Sequence, residues 1–231
     1  MIGLRDVGFS YPDGTPALAG ISLAIAAGER VAVLGANGAG KSTLLLQLNG
    51  LLRGSGTISI DGLVLAPAML RAIRQRVGFV FQDPDDQLFC TSVREDVAFG
   101  PRQAGLPEAE VQARCAEALA AMGIADLAAR HPHHLSLGQK KRAAIATTLA
   151  MRPAVLVLDE PSASLDPRTR RELIARLATL ACTLVVASHD LDLVRALCPR
   201  SLILEAGRLA ADGATAVLLE DGALLARTGL S

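Results

Sequence analysis

Gly35-Ala36-Asn37-Gly38-Ala39-Gly40-Lys41-Ser42-Thr43 is the stretch whose meaning decides the rest of this chain. It fits G-x-x-x-x-G-K-[ST], a loop that cradles nucleotide phosphates. Its glycines let the backbone turn tightly, so that successive N–H groups converge on an anion. The helix that follows adds the partial positive charge of its N-terminus. The flanks agree, because Glu29 to Leu34 reads as a short buried strand and Ser42 to Leu48 as an opening helix. Lys41 is placed to reach the β- and γ-phosphates, and the Ser42 hydroxyl to sit on Mg²⁺. A glycine-rich turn that binds nothing is the competing interpretation, and it leaves the lysine and the flanks unexplained.

Composition narrows the class. A chain of 231 residues suits one α/β domain with an inserted subdomain. It is 51% hydrophobic but only 3% aromatic, without Trp, so the core is built mainly from Ala, Val, Leu and Ile. Lys+Arg and Asp+Glu are both 23, and this balance argues against nucleic acid as the main partner. Cys90, Cys115, Cys182 and Cys198 form no metal-like spacing and read as buried or incidental thiols in a reducing compartment. The N-terminus lacks the basic-then-apolar pattern of a secretory signal. The longest apolar run, from Leu177 to Ala187, is too short for a membrane span of roughly 20 residues. A soluble cytosolic chain is expected, with any membrane role supplied by a partner.

Along the chain, residues 2–9 and 21–25 read as strands around the turn Tyr11-Pro12-Asp13-Gly14, and Asp61-Gly62 as a hairpin. Leu70 to Arg76 looks helical, and Val77 to Phe81 is a buried strand ending at Gln82. From Asp83 to about Ala150 the pattern turns helical, with one helix from Pro107 to Gly123 and another from Ser136 to Met151. The final third alternates strand and helix, as a parallel sheet wrapped by helices requires. Nucleotide-core segments 1–82 and 151–231 around a helical segment 83–150 are therefore expected within one domain.

Other residues carry chemistry. The apolar strand Val155 to Leu158 ends in Asp159-Glu160, at the sheet edge where open α/β sheets bind ligands. Asp159 suits the Mg²⁺ shell and Glu160 a general base for the attacking water. His189 follows another apolar strand onto the same edge, where an imidazole orients water at the γ-phosphate. Gln82 is either a neutral ligand to Mg²⁺ and water or an ordinary strand end. Tyr11 is either a stacking face for adenine or an ordinary loop aromatic. His131, His133 and His134 read as a solvated loop, since no Cys or carboxylate joins them at ligand spacing. Ser136 caps a helix containing Gly138, which makes a second anion-binding helix start far along the chain. One chain then holds two half-sites, which suggests head-to-tail closure on a second copy.

Taken together, these residues resemble the nucleotide-binding domain of ATP-binding-cassette (ABC) transporters over nearly the whole length. Tyr11, the loop 35–43, Gln82, Leu135-Ser136-Leu137-Gly138-Gln139, Val155 to Glu160, Ser162 to Asp166 and His189 follow the family's order. Leu137 stands where the usual signature has its first glycine, with Ser136 and Gly138 retained. The resemblance implies a P-loop NTPase core, a RecA-like mixed sheet with N-terminal antiparallel strands, and an inserted α-helical subdomain. It implies two ATP molecules sandwiched between two copies, or a copy and a paralogue. Ser136, Gly138, Gln139 and Asp166 then act across the dimer, with Mg²⁺ held at Ser42, Gln82 and Asp159.

A narrower likeness joins Val80 to Phe89, Val93 to Pro101 and Gln139-Lys140-Lys141-Arg142 to energy-coupling-factor importers, especially their cobalt- and nickel-uptake ATPases. It implies a peripheral position on the cytoplasmic face of the membrane, with a transmembrane scaffold subunit and a membrane substrate-binding subunit as partners. Asp85, Asp86, Gln87 and Leu88 become the membrane-partner contact, with a plain surface turn as the alternative. After the last strands only the tail from Asp221 to Ser231 remains, shorter than the extension many members of that group carry. A vitamin such as biotin is the alternative cargo. A soluble ABC ATPase acting in DNA repair or on ribosomes predicts coiled-coil insertions or a basic surface, which the sequence lacks. A scaffold without turnover is disfavoured by Glu160 and His189.

Overall fold

The computed structural model describes residues 2–230. Strand β3 (Arg30–Leu34), which leads into the phosphate loop, is buried on both faces. Val31 and Val33 join one apolar cluster, and Ala32 and Leu34 the other. β7 (Val155–Asp159) and β8 (Thr183–Ala187) divide their side chains in the same way. Short apolar runs buried on both faces are what a covered parallel sheet requires. These three strands pair in parallel, with β6 (Val77–Val80) beyond β7 and β9 (Arg200–Glu205) beyond β3. β10 (Arg208–Ala214) adds an antiparallel edge, giving the order β10-β9-β3-β8-β7-β6.

One face of this sheet is closed by α1 (Lys41–Leu48) and by a second, antiparallel sheet. The latter comprises β1 (Ile2–Ser10), β2 (Pro16–Ile25), β4 (Ser55–Ile60) and β5 (Leu63–Val64), in the order β2-β1-β4-β5. The hairpin at Asp61-Gly62 has φ of 48° and 78°, as a two-residue primed turn demands.

Between β6 and β7 the chain makes only helices and short turns. After the earlier helix α2 (Leu70–Arg76), the helices here are α3 (Val93–Gln103), α4 (Glu108–Ala121) and α5 (Leu137–Leu149). They pack on the other face of the main sheet together with α6 (Pro167–Ala178) and α7 (Leu191–Leu197). α4 and α5 lie where helical periodicity predicts them, whereas α3 is an addition. Ser92 caps it, with its Oγ accepting from Glu95 N, but Gly100-Pro101 inside it masks the pattern. Two further helices, α8 (Thr215–Leu218) and α9 (Gly222–Thr228), occupy the Ala- and Leu-rich end, with Asp221 capping α9. The C-terminal ends of β3, β7 and β8 thus converge on one edge.

Candidate nucleotide site

At that edge the phosphate loop runs from β3 into α1. The helix starts at Gly40, in left-handed conformation (φ 101°), with no side chain capping its first turn. A Cβ at Gly40 would lie 2.6 Å from Ala17 O, and one at Gly35 2.5 Å from Leu204 O, so both positions need glycine. Lys41 is buried, its Nζ donating to Gly35 O at 2.8 Å and Ala36 O at 3.0 Å. The Tyr11 hydroxyl lies 2.9 Å from Thr43 Oγ1, and Phe9 meets the Tyr11 ring edge-on at 5.1 Å. Thus fixed, the ring borders a cleft of about 560 Å³ that is also lined by Asn37, Gly38, Gly40, Lys41, Ser42, Thr43, Gln82, Glu160 and His189. A concave site of this size suits a small-molecule ligand. Gly35 and Ala39 are buried behind the loop, and Ala36 is exposed.

The two carboxylates at the end of β7 differ in environment. Asp159 is buried, and burial pushes its carboxyl above the ordinary aspartate range, while the Ser42 hydroxyl draws it back. Its Oδ1 is enclosed with no hydrogen-bond partner among the described residues. Glu160 adopts φ 46°, uncommon for a residue with a side chain. Its Oε2 faces His189 Nδ1 at 2.9 Å and accepts from Ser188 Oγ at 3.3 Å and His189 N at 3.4 Å. Ser188 was not singled out from sequence, although its place between an apolar strand and His189 is the signal that marks it. Asp190 was missed as well: it accepts from Ser162 Oγ at 2.8 Å, tying the segment after Glu160 to that carrying His189.

The structure therefore brings Tyr11, the loop 35–43, Gln82, Asp159, Glu160 and His189 together. It keeps Ser136, Gly138, Gln139 and Asp166 apart from the cleft lining. Ser136 and Gln139 form a reciprocal capping box at the start of α5. Gly138 is buried with Thr169 against its Cα, and Asp166 caps α6 through Arg168 N and Thr169 N, both at 3.0 Å. His131 and His133 stack at 5.0 Å on an exposed turn.

In the segment expected to meet a membrane partner, Asp85 and Asp86 are exposed, and Asp85 pairs with Lys140 at 2.7 Å. Gln87 and Leu88 turn inward. Gln87 Nε2 donates to Ala144 O and Thr147 Oγ1, both at 2.8 Å, its Oε1 accepts from Phe81 N, and Leu88 is in the core. The exposed apolar groups beside them are Phe89 and Phe99, 66% and 44% exposed, with rings edge-to-face at 5.0 Å.

Comparison with known proteins places the chain in a family. The family described as ABC transporter matches residues 18–163. The energy-coupling factor transporter ATP-binding protein EcfA of Methanothermobacter thermautotrophicus is 50% identical, over 100% of this chain and 76% of its own. In Rhodobacter capsulatus, the cobalt import ATP-binding protein CbiO is 50% identical over 96% and 81%, and the nickel import ATP-binding protein NikO 47% over 98% and 94%. Among solved structures, cbiO1 of Clostridium perfringens, described as part of the ABC transporter complex cbiONQ, superposes with a TM-score of 0.87 at 39% identity, covering 99% of this chain and 94% of that one. The cassette MJ0796, as a dimer in a post-hydrolysis state with ADP and Pi, gives 0.85 at 29%, covering 93% and 99%. The chain belongs to the ABC transporter family, as one of its ATP-binding ATPase domains.

Proposed function

We propose that this chain is the energy-coupling ATPase of an importer of the energy-coupling-factor type, carrying cobalt or nickel ions. It works as a dimer of two copies, or of a copy and a paralogue, on the cytoplasmic face of the membrane. The observation that carries the hydrolytic part is the placement of Glu160 between Ser188 and His189 at the mouth of the phosphate-loop cleft. The names of EcfA, CbiO and NikO support the cargo class, and near-equal identity to the last two leaves both metals in play. No helix among the described residues is long and apolar enough to cross a membrane, and in this proposal the translocation path belongs to partner subunits. Exposed Asp85, Asp86, Phe89 and Phe99 form a surface for the transmembrane scaffold, which in turn meets the substrate-binding subunit.

The ATP triphosphate enters the open start of α1, and Lys41 exchanges its two loop carbonyls for the β- and γ-phosphates. The Tyr11 ring offers the adenine a face. The buried Asp159 Oδ1, unpartnered among the described residues, the Ser42 hydroxyl and the Gln82 amide oxygen are hard-oxygen donors that would hold Mg²⁺. Mg²⁺ would supply charge neutralisation at the β- and γ-phosphates. Glu160 commits Oε2 to its three donors and leaves Oε1 to take a proton from water. His189, 68% exposed, holds that carboxylate through Nδ1 and lines the cleft that would receive the γ-phosphate. Ser136, Gly138, Gln139 and Asp166 lie off the cleft, where a second copy would bring them onto its nucleotide.

Co-expression with the membrane subunits and purification through a tag on this chain tests the proposal. Membrane proteins should co-purify, and Glu160→Gln should retain ATP binding while turnover drops by about 10²-fold or more. A chain that purifies without a membrane partner overturns the importer role, and unaltered turnover overturns the base.

A further inference from the structure

The chain is sparing with lysine: of its 23 basic residues only those at 41, 140 and 141 are lysines. Lys41 and Lys141 are buried, at 8% and 5% exposure, while Lys140 reaches out to Asp85. Lys41 is explained by the phosphate loop. Lys141 points the other way, from the first turns of α5 into the seam between the helical segment and the main sheet. Its Nζ donates to Glu160 O at 2.8 Å and to Gln82 O at 3.3 Å. Enclosing an ammonium is costly unless hydrogen bonds and opposite charge offset it. Here Glu160, Asp83 and Asp159 provide that charge. A compact ammonium with three rotatable donors fits a seam between two main-chain carbonyls, where a planar guanidinium would need more room.

We propose that Lys141 is a positioning residue for ATP hydrolysis: it clamps the Glu160 peptide and the Gln82 carbonyl to α5, so that signature helix, glutamine segment and catalytic carboxylate keep one register. Glu160 needs such support because it sits at φ 46°. A residue in this region holds its orientation only when its surroundings fix it. Among the described residues the one other donor to Glu160 O is Ala163 N at 3.2 Å, from the same turn, so of these only Lys141 ties that carbonyl to the helical segment. Ser136 caps the start of α5, so displacement of the signature would reach Glu160 through one side chain. This inference rests on Glu160 being the base.

The test uses the full chain purified with its membrane subunits, comparing wild type, Lys141→Met, Lys141→Gln and Glu160→Gln. Turnover is expressed per nucleotide-binding site, with ATP affinity and thermal unfolding measured in parallel. Lys141→Met should lower kcat by about tenfold or more, with KM and ATP affinity within about twofold of wild type. Lys141→Gln, which keeps a donor but is shorter and uncharged, should fall between the two. A kcat for Lys141→Met within about twofold of wild type would overturn the proposal, as would kcat and ATP affinity falling together. If Lys141→Met does not fold, Lys141→Gln decides by the same split. Full turnover in Glu160→Gln would instead remove the base on which the inference stands.

Discussion

Gly138 offers a separable test of how the signature is held. A Cβ at this position would lie 2.2 Å from Thr169 Cγ2 and 3.6 Å from Leu165 Cδ2. Ordinary carbon contacts are about 3.5–4.0 Å, so Gly138→Ala forces well over an ångström of movement. Thr169 cannot rotate away freely, because its Oγ1 donates to Asp166 Oδ2 at 2.6 Å while Asp166 caps α6. Either that bond breaks or α5 and α6 separate. Overpacking of this kind costs about 1–3 kcal/mol, or about 4–8 °C in Tm for a value near 2 in a domain of this length. The clash is with one methyl group, and Thr169→Ser removes that methyl while keeping the hydroxyl. A double-mutant cycle read by urea and thermal unfolding should therefore show Gly138→Ala/Thr169→Ser recovering at least about 1 kcal/mol relative to the sum of the single changes. Simple additivity would refute the steric reasoning. ATPase activity on the same four proteins then separates two roles: stability regained without turnover means that the glycine is also needed where the nucleotide approaches.

Gln87→Ala should destabilise the chain by about 1–3 kcal/mol in urea unfolding, since it leaves Phe81 N without its side-chain acceptor, whereas a purely surface residue would leave the midpoint unchanged. Arg200 binds Asp212 through two nitrogens at 2.7 Å and reaches Glu29 and Ala24 O at 2.9 Å. Arg200→Lys cannot reproduce that fork and should cost about 1–2 kcal/mol, allowing for partial exposure. Burial pushes the Cys198 thiol from 9.0 up to about 12. In the native state it should resist iodoacetamide at pH 8 and react at once on unfolding. Because the folded chain holds that proton more tightly, this group's contribution to stability is complete below pH 9 and is lost as pH rises toward 12, which alkaline unfolding of Cys198→Ala would show as a shallower decline.

What the sequence disclosed depended on how local the determinants were. The phosphate loop, the strand ending in Asp159 and the strand before His189 are contiguous patterns, and their convergence follows from the parallel sheet. The inward hydrogen bonds of Gln87 were not legible, because Asp85-Asp86-Gln87 looks like a solvated acidic turn while its partners Ala144 and Thr147 lie 57 and 60 positions away. Helix α3 hid behind Gly100-Pro101, and the tail helices behind a composition with little periodicity. Lys141 was visible only as part of a basic run, and its neighbours Gln82 and Glu160 meet it through tertiary packing. Strand order in the main sheet, with β3 between β8 and β9, has no local signature at all.

The helical segment leaves the sheet after Val80 and returns at Val155, on strands that are neighbours and parallel. Its two attachments consequently sit at opposite ends of one strand pair, three residues apart in register and so roughly 10 Å along the strands at about 3.3 Å per residue. A body fastened at two separated points resists sliding and tilting but keeps one easy freedom, a swing about the line through both fastenings. For this molecule that line runs along the strands, past Gln82 at one end and Pro153 at the other. The segment is mounted like a door, and the contacts at the start of α5, Gly138 on Thr169 and Lys141 on Glu160 O and Gln82 O, are its latch.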